Sequence, residues 1–245
     1  MDTQKITFIS NRAWLNEDSY SRPIPIIKTI PEWYKKADRY AVNEQTGEYW
    51  QSPYDGGKIP TWKACPAVYD VMGTGYTMRT PCDIEFYLDN GEINARINDP
   101  MYQDFVGPRE PMPQFEHPHG YYKRHFAWWI DWGVALPPGY SALYASPMNR
   151  FELPFLTTSG IIDADKVNMP GTMPFFLREG WTGTLPAGTP YSQLIPFKRE
   201  SWESDLEIVN DPMELYNRNL VLTAKYRGPD GGVYQREVWE RRTYS

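Results

Sequence analysis

Cysteine, histidine and long apolar runs are what this sequence has least of. Its 245 residues hold 2 cysteines, Cys65 and Cys82, and 3 histidines. Neither thiol has a histidine or a second cysteine at ligand spacing, so zinc sites and thiol catalysis have no support and both cysteines read as reduced and structural. No apolar run approaches the roughly 18 residues of a membrane span, and no charged start leading into an apolar stretch marks a secretion signal. A soluble protein is expected. Positive charge is also short: the formal net charge is −6, which argues against a protein whose task is nonspecific binding to nucleic-acid phosphates. The nucleophile elbow G-x-S-x-G and the phosphate loop G-x-x-x-x-G-K are both absent, which removes two large classes of hydrolases and nucleotide triphosphatases.

What is present favours strands. Aromatic residues make up 16% of the chain, with 23 prolines and 18 glycines, a composition suited to short strands joined by turns. Residues 5–9 (KITFI) read as an edge strand, and Pro31 can open a short helix in EWYKKA. Residues 43–60 read as a loop. The DNG between DIEFYL and EINARI is a strong hairpin signal. Residues 98–120 carry 5 prolines among polar residues and form the longest irregular stretch, either a surface crossing or a functional loop. Short apolar runs punctuated by Pro and Gly follow to about residue 197. Asp211 and Pro212 then have the form of an N-cap and first residue of a helix over DPMELYNRNLVLTAKY. The expected organisation is an amino-terminal segment over 1–60, a β core over 61–202 and a carboxy-terminal extension over 203–245.

Three sets of residues invite chemistry. Asp163 and Asp165 stand two apart, so on a strand both carboxylates would face one way and could orient a water or hold Mg²⁺ with ligand phosphates. In a turn they would instead accept backbone N–H groups. His117, His119 and His125 fall within nine residues, and H-x-H on a strand would suit a cupin-type metal site, although Pro118 disfavours regular pairing there. Phe126, Trp128, Trp129 and Trp132 could stack bases or sugars, fill a core or anchor an oligomer. On a strand, Trp128 and Trp129 must point to opposite faces, which makes one of them a candidate for a ligand pocket or an interface.

The blocks PIPIIKTIPEWYKK, CPAVYDVMGTGY, PPGYSALYASPMNR, GIIDAD and AGTPYSQLIPFKRESW, in this order and spacing, resemble a family of proteins found in tailed bacteriophages. That resemblance implies a viral origin and assigns no activity. Within it, residues 136–197 resemble the core of the dUTPase-like β-clip superfamily. Gly160, Ile162 and Asp163 match its G-x-I-D hairpin, and Gly188, Gln193 and Leu194 match its closing strand. The resemblance implies a mainly β fold, a β-clip (dUTPase-like) barrel or sandwich core with a few short helices, assembled with copies of itself, possibly as the trimer of that superfamily. It places Asp163 as the water-orienting carboxylate, Arg150 near phosphates and Gln193 on the closing strand, with Mg²⁺ as the cofactor of any nucleotide chemistry.

The same comparison shows departures. Met148, Asn149 and Arg150 follow Pro147 where the superfamily has an Arg-Ser phosphate contact, and Lys166 stands where a sugar-stacking tyrosine is expected. The glycine-rich carboxy-terminal arm is echoed only by Arg227, Gly228, Gly231 and Gly232. The first reading is therefore a phage protein without an evident catalytic site and without a cofactor, either a structural or accessory part of the particle, in contact with other virion proteins, or a binding protein in the cytoplasm of the infected bacterium. A dUTPase-like protein that binds or hydrolyses nucleotides, with Asp163 catalytic and Arg150, Asp165, Gln193 and Trp128 around the ligand, is the second. A cupin-like metal-dependent enzyme using His117, His119 and His125 is the third.

Overall fold

At Asn90 and Gly91 the backbone turns through φ values of 50° and 81°, the left-handed pair that lets a two-residue turn match the twist of the strands it joins. This is the hairpin expected from DNG. In the computed structural model, which describes residues 4–12, 15, 19–53, 56–226, 239–240 and 242–245, the chain is mainly β. Its strands are β1 (Thr7–Ile9), β2 (Ile24–Pro25), β3 (Tyr76–Arg79), β4 (Ile84–Asp89), β5 (Glu92–Arg96), β6 (Val106–Arg109) and β7 (His125–Trp129). They continue with β8 (Gly133–Ala135), β9 (Tyr140–Ala145), β10 (Phe155–Thr157), β11 (Gly160–Ile162), β12 (Thr172–Leu177), β13 (Gly183–Leu185) and β14 (Pro190–Lys198). The helices are α1 (Glu32–Lys36), α2 (Pro66–Gly73) and α3 (Pro212–Tyr226).

Every strand pairing is antiparallel. A five-stranded sheet runs β11-β9-β14-β3-β2, a four-stranded sheet β10-β12-β7-β6, a three-stranded sheet β13-β4-β5, and β1 pairs with β8. Antiparallel strands with one face in a core and the other in water give the alternation seen in β4 and β12, where buried and less buried positions take turns. The chain divides into two compact units, Met1–Ile30 with Met72–Arg199 and Tyr244–Ser245, and Pro31–Val71 with Glu200–Thr243. All four sheets lie in the first unit. In the second unit, Trp239 Nε1 donates to Asp70 Oδ2 at 2.7 Å, and the Lys58 ammonium sits 3.8 Å over the Tyr49 ring.

The core of the first unit is aromatic. Trp128 and Phe175 stack with ring centroids 3.7 Å apart and planes 9° from parallel, and Phe86, Phe126, Phe155 and Tyr191 pack around them. Such pairs add about 0.5–1.5 kcal/mol each beyond the burial of their surface. The indole N–H of Trp128, which has no exposure, donates to Thr157 Oγ1 at 3.1 Å, and that hydroxyl donates to the Tyr191 carbonyl at 2.6 Å. A fully buried polar chain is stable only when each member is bonded in this way.

Two elements differ from the sequence expectation. Residues 66–73, which the sequence does not mark as helical, form α2 with Pro66 as its first residue, a position where a missing N–H costs nothing. Residues 98–120 are not irregular throughout, because β6 pairs with β7 from Val106↔Trp128 to Arg109↔His125. Pro108 is tolerated there because β6 is the edge of its sheet. The helix expected after Asp211 is α3, with Asp211 Oδ1 accepting the Met213 N–H at 2.9 Å. Arg227, Gly228, Gly231 and Gly232 lie outside the described residues.

Candidate functional site

Asp163 follows the last residue of β11, which pairs with β9 from Gly160↔Tyr144 to Ile162↔Ala142. The chain then turns, with the Lys166 and Val167 N–H groups both bonded to the Asp163 carbonyl at 2.9 Å. Asp163 and Asp165 therefore sit in a turn and not on a strand, yet their carboxylates converge on one guanidinium. Arg199, directly after β14, donates from Nη1 to Asp165 Oδ1 at 2.8 Å and from Nη2 to Asp165 Oδ2 at 2.5 Å. Its Nη1 lies 3.2 Å from Asp163 Oδ1 and also donates to Ser141 Oγ at 3.1 Å and to the Tyr140 carbonyl at 3.0 Å. Asp163 Oδ1 accepts the Ser141 hydroxyl at 2.7 Å, and Asp165 Oδ2 accepts the Gly139 N–H at 2.8 Å. The result is a clasp joining the start of β9, the turn after β11 and the end of β14.

Hydrogen bonds to the charged form and a nearby cation both favour ionised carboxylates. The Ser141 hydroxyl first, and then Arg199 and Lys166, hold Asp163 below the usual carboxylate range. The Arg199 guanidinium and the Gly139 N–H hold Asp165 far below it. Arg199 is raised in turn, chiefly by Asp165. The Asp165 side chain is 7% exposed and that of Asp163 45%. Bidentate pairing of this kind fixes orientation as well as charge.

The other sequence candidates occupy different places. Arg150 Nη1 donates to the Thr29 carbonyl at 2.9 Å, and its Nε pairs with Glu152. Gln193 is fully buried in β14, where Oε1 accepts the Met148 N–H at 3.0 Å and Nε2 donates to the Thr74 carbonyl at 2.8 Å. It bridges the loop that carries Arg150 to the loop before β3. Trp128 lies in the core, while its neighbour Trp129 is 46% exposed on the other face of β7.

The histidines separate as well. His125 begins β7 and is buried, its ring stacked on Phe176 of β12 at 5.2 Å and 28°. His117 and His125 both line a cavity of about 310 Å³ with residues of the loop 111–117, whereas His119 does not. Burial, reinforced by the Arg109 cation opposite it across the β6–β7 pair, holds His125 below its usual range, so the ring is neutral at pH 7. Among the described residues no three His, Cys, Asp or Glu side chains come together as a group able to hold a metal ion.

Arg199 and the cavity walls Lys123 and Phe176 carry no assignment from the sequence. Arg199 stands 34 residues from Asp165 in the chain with no spacing motif to link them, and only the pairing of β9 with both β11 and β14 brings them together. No helix among the described residues is long and apolar enough to cross a membrane.

Solved structures similar to part of this chain are phage dUTPases. One from phage phi11 of S. aureus is 15% identical and covers 43% of this chain and 97% of its own, with a TM-score of 0.25. One from Staphylococcus bacteriophage 80alpha is 15% identical and covers 43% of this chain and 88% of its own, with a TM-score of 0.24. No protein-family model matches the chain, and no curated protein matches it. Likeness of this degree carries no argument about activity, and the mainly β class rests on the strands themselves.

Proposed function

We propose that this is a phage protein that works by binding and assembly, either as a structural or accessory component of the particle or as a binding protein in the infected cell. The observation that carries this reading is the clasp. The Arg199 guanidinium occupies the space between Asp163 and Asp165, where a cation bridging the two carboxylates would have to stand. Arg150 and Gln193 are likewise engaged with backbone groups of neighbouring loops. In this reading these residues hold strands together, and the β-clip scaffold serves as a frame.

Self-association belongs to the same reading. β11 is an edge strand whose three residues are all exposed, Ile161 at 64%, and Val167 and Met169 beyond it are exposed too. An uncovered apolar edge of this kind favours pairing with another chain, and a trimer is the form the β-clip resemblance suggests. Sedimentation of the purified protein together with mass spectrometry of purified particles tests the proposal. The expected result is an oligomer, with the protein in particles or bound to a partner in infected cells. A monomer found in neither place would overturn it.

A second reading, nucleotide binding or hydrolysis with Mg²⁺, is favoured by one fact: Asp163 stays ionised and nearly half exposed.

A further inference from the structure

The cavity of about 310 Å³ beside His125 is of a size that holds a small ligand. Its floor is the stacked His125–Phe176 pair on the outer face of the four-stranded sheet, opposite the Trp128 core. Its wall is the loop 111–117, which contributes Phe115 and two prolines. Two aromatic rings, Phe115 and Phe176, and two prolines make much of the lining apolar, and aromatic faces favour a flat ligand that stacks on them.

The polar groups narrow the class further. Lys123 is the one ammonium among the lining residues, and no carboxylate of a described residue lies within ion-pair distance of it. Glu116 supplies a carboxylate at the same cavity. His125 is neutral and bonds the Lys123 backbone, which leaves a ring nitrogen able to accept. A ligand that matches this lining presents a negative group to Lys123, and N–H donors to Glu116 and His125.

We infer that the cavity binds a planar heteroaromatic anion, a ring bearing N–H donors and one carboxylate or phosphate group. The site shares no residue with the Asp163 turn, so it stands apart from the assembly role proposed above. Calorimetric titration at pH 7.5 with three probes tests it. Orotate has the flat ring, the ring N–H donors and the carboxylate; benzoate lacks the donors; benzylamine reverses the charge. Orotate is expected to bind more tightly than benzoate, and benzylamine not at all. Lys123→Ala should weaken orotate about tenfold, which corresponds to the loss of one charge-assisted hydrogen bond. Glu116→Gln should reduce the preference for orotate over benzoate, and Asp163→Asn should change neither. Equal binding of benzylamine, no binding of orotate, or full affinity in folded Lys123→Ala would overturn the inference. None of these results bears on oligomer formation or particle association, so the two proposals fail separately.

Discussion

Asp165 and Arg199 meet through both carboxylate oxygens and both terminal guanidinium nitrogens, at 2.8 and 2.5 Å. Together with the Gly139 N–H and the Ser141 hydroxyl, this pair ties three parts of the β core at one point.

Its stability should depend on acid in a definite direction. Asp165 has its folded pKa depressed, so the clasp contributes fully above the ordinary carboxylate value of about 4 and is lost as pH falls through the depressed value. Asp165→Asn should lower Tm clearly at pH 7, and the gap to the parent should narrow below about pH 4. Thermal melts followed by circular dichroism at a series of pH values provide the check. Arg199→Ala should destabilise more than Asp165→Asn, because it leaves a nearly buried carboxylate without its cation.

The opposite sign is expected at Asp131. Its carboxylate is 1% exposed and has Arg12 Nε 2.8 Å away, yet burial outweighs that cation and raises the pKa to about 6. A raised folded pKa means stability that is present at low pH and lost as pH rises through about 6. Asp131→Asn should therefore raise Tm relative to the parent at pH 8, with the difference gone near pH 4.5. A variant less stable than the parent at pH 8 would show that the Arg12 pair outweighs the burial cost.

Trp128→Ala should cost about 3–5 kcal/mol in urea unfolding, the usual range for removing a large core aromatic. Trp128→Phe should cost less, since a ring remains to pack against Phe175 and fill most of the space.

Gln193→Ala removes the bonds its side chain makes to the Met148 N–H and the Thr74 carbonyl. Each such hydrogen bond contributes about 0.5–1.5 kcal/mol, so the variant should unfold at lower urea. Gln193→Glu keeps the shape but sets a buried carboxylate against the Thr74 carbonyl, so at neutral pH it should recover none of the loss.

Local chemistry made much of the fold legible. Asn90-Gly91 marks its hairpin, Asp211-Pro212 marks the start of α3, and Trp128 and Trp129 alternate as neighbours on a strand must. β6 was hidden because Gly107 and Pro108 weaken any strand signal, and only an edge position makes them acceptable. The candidate site was less legible. The spacing of Asp163 and Asp165 indicates that they act together, but their partner is Arg199, placed by the sheet order and not by proximity in the chain. His125 and Phe176 meet for the same reason, as neighbours across the β7–β12 pairing.

Incubation of the purified protein with each deoxynucleoside triphosphate and Mg²⁺, with pyrophosphate release as the readout, tests the central claim most directly. The account predicts no release above that of Asp163→Asn with any of them. Release by the parent protein that Asp163→Asn abolishes, with its fold intact, would contradict the claim and make Asp163 a catalytic residue.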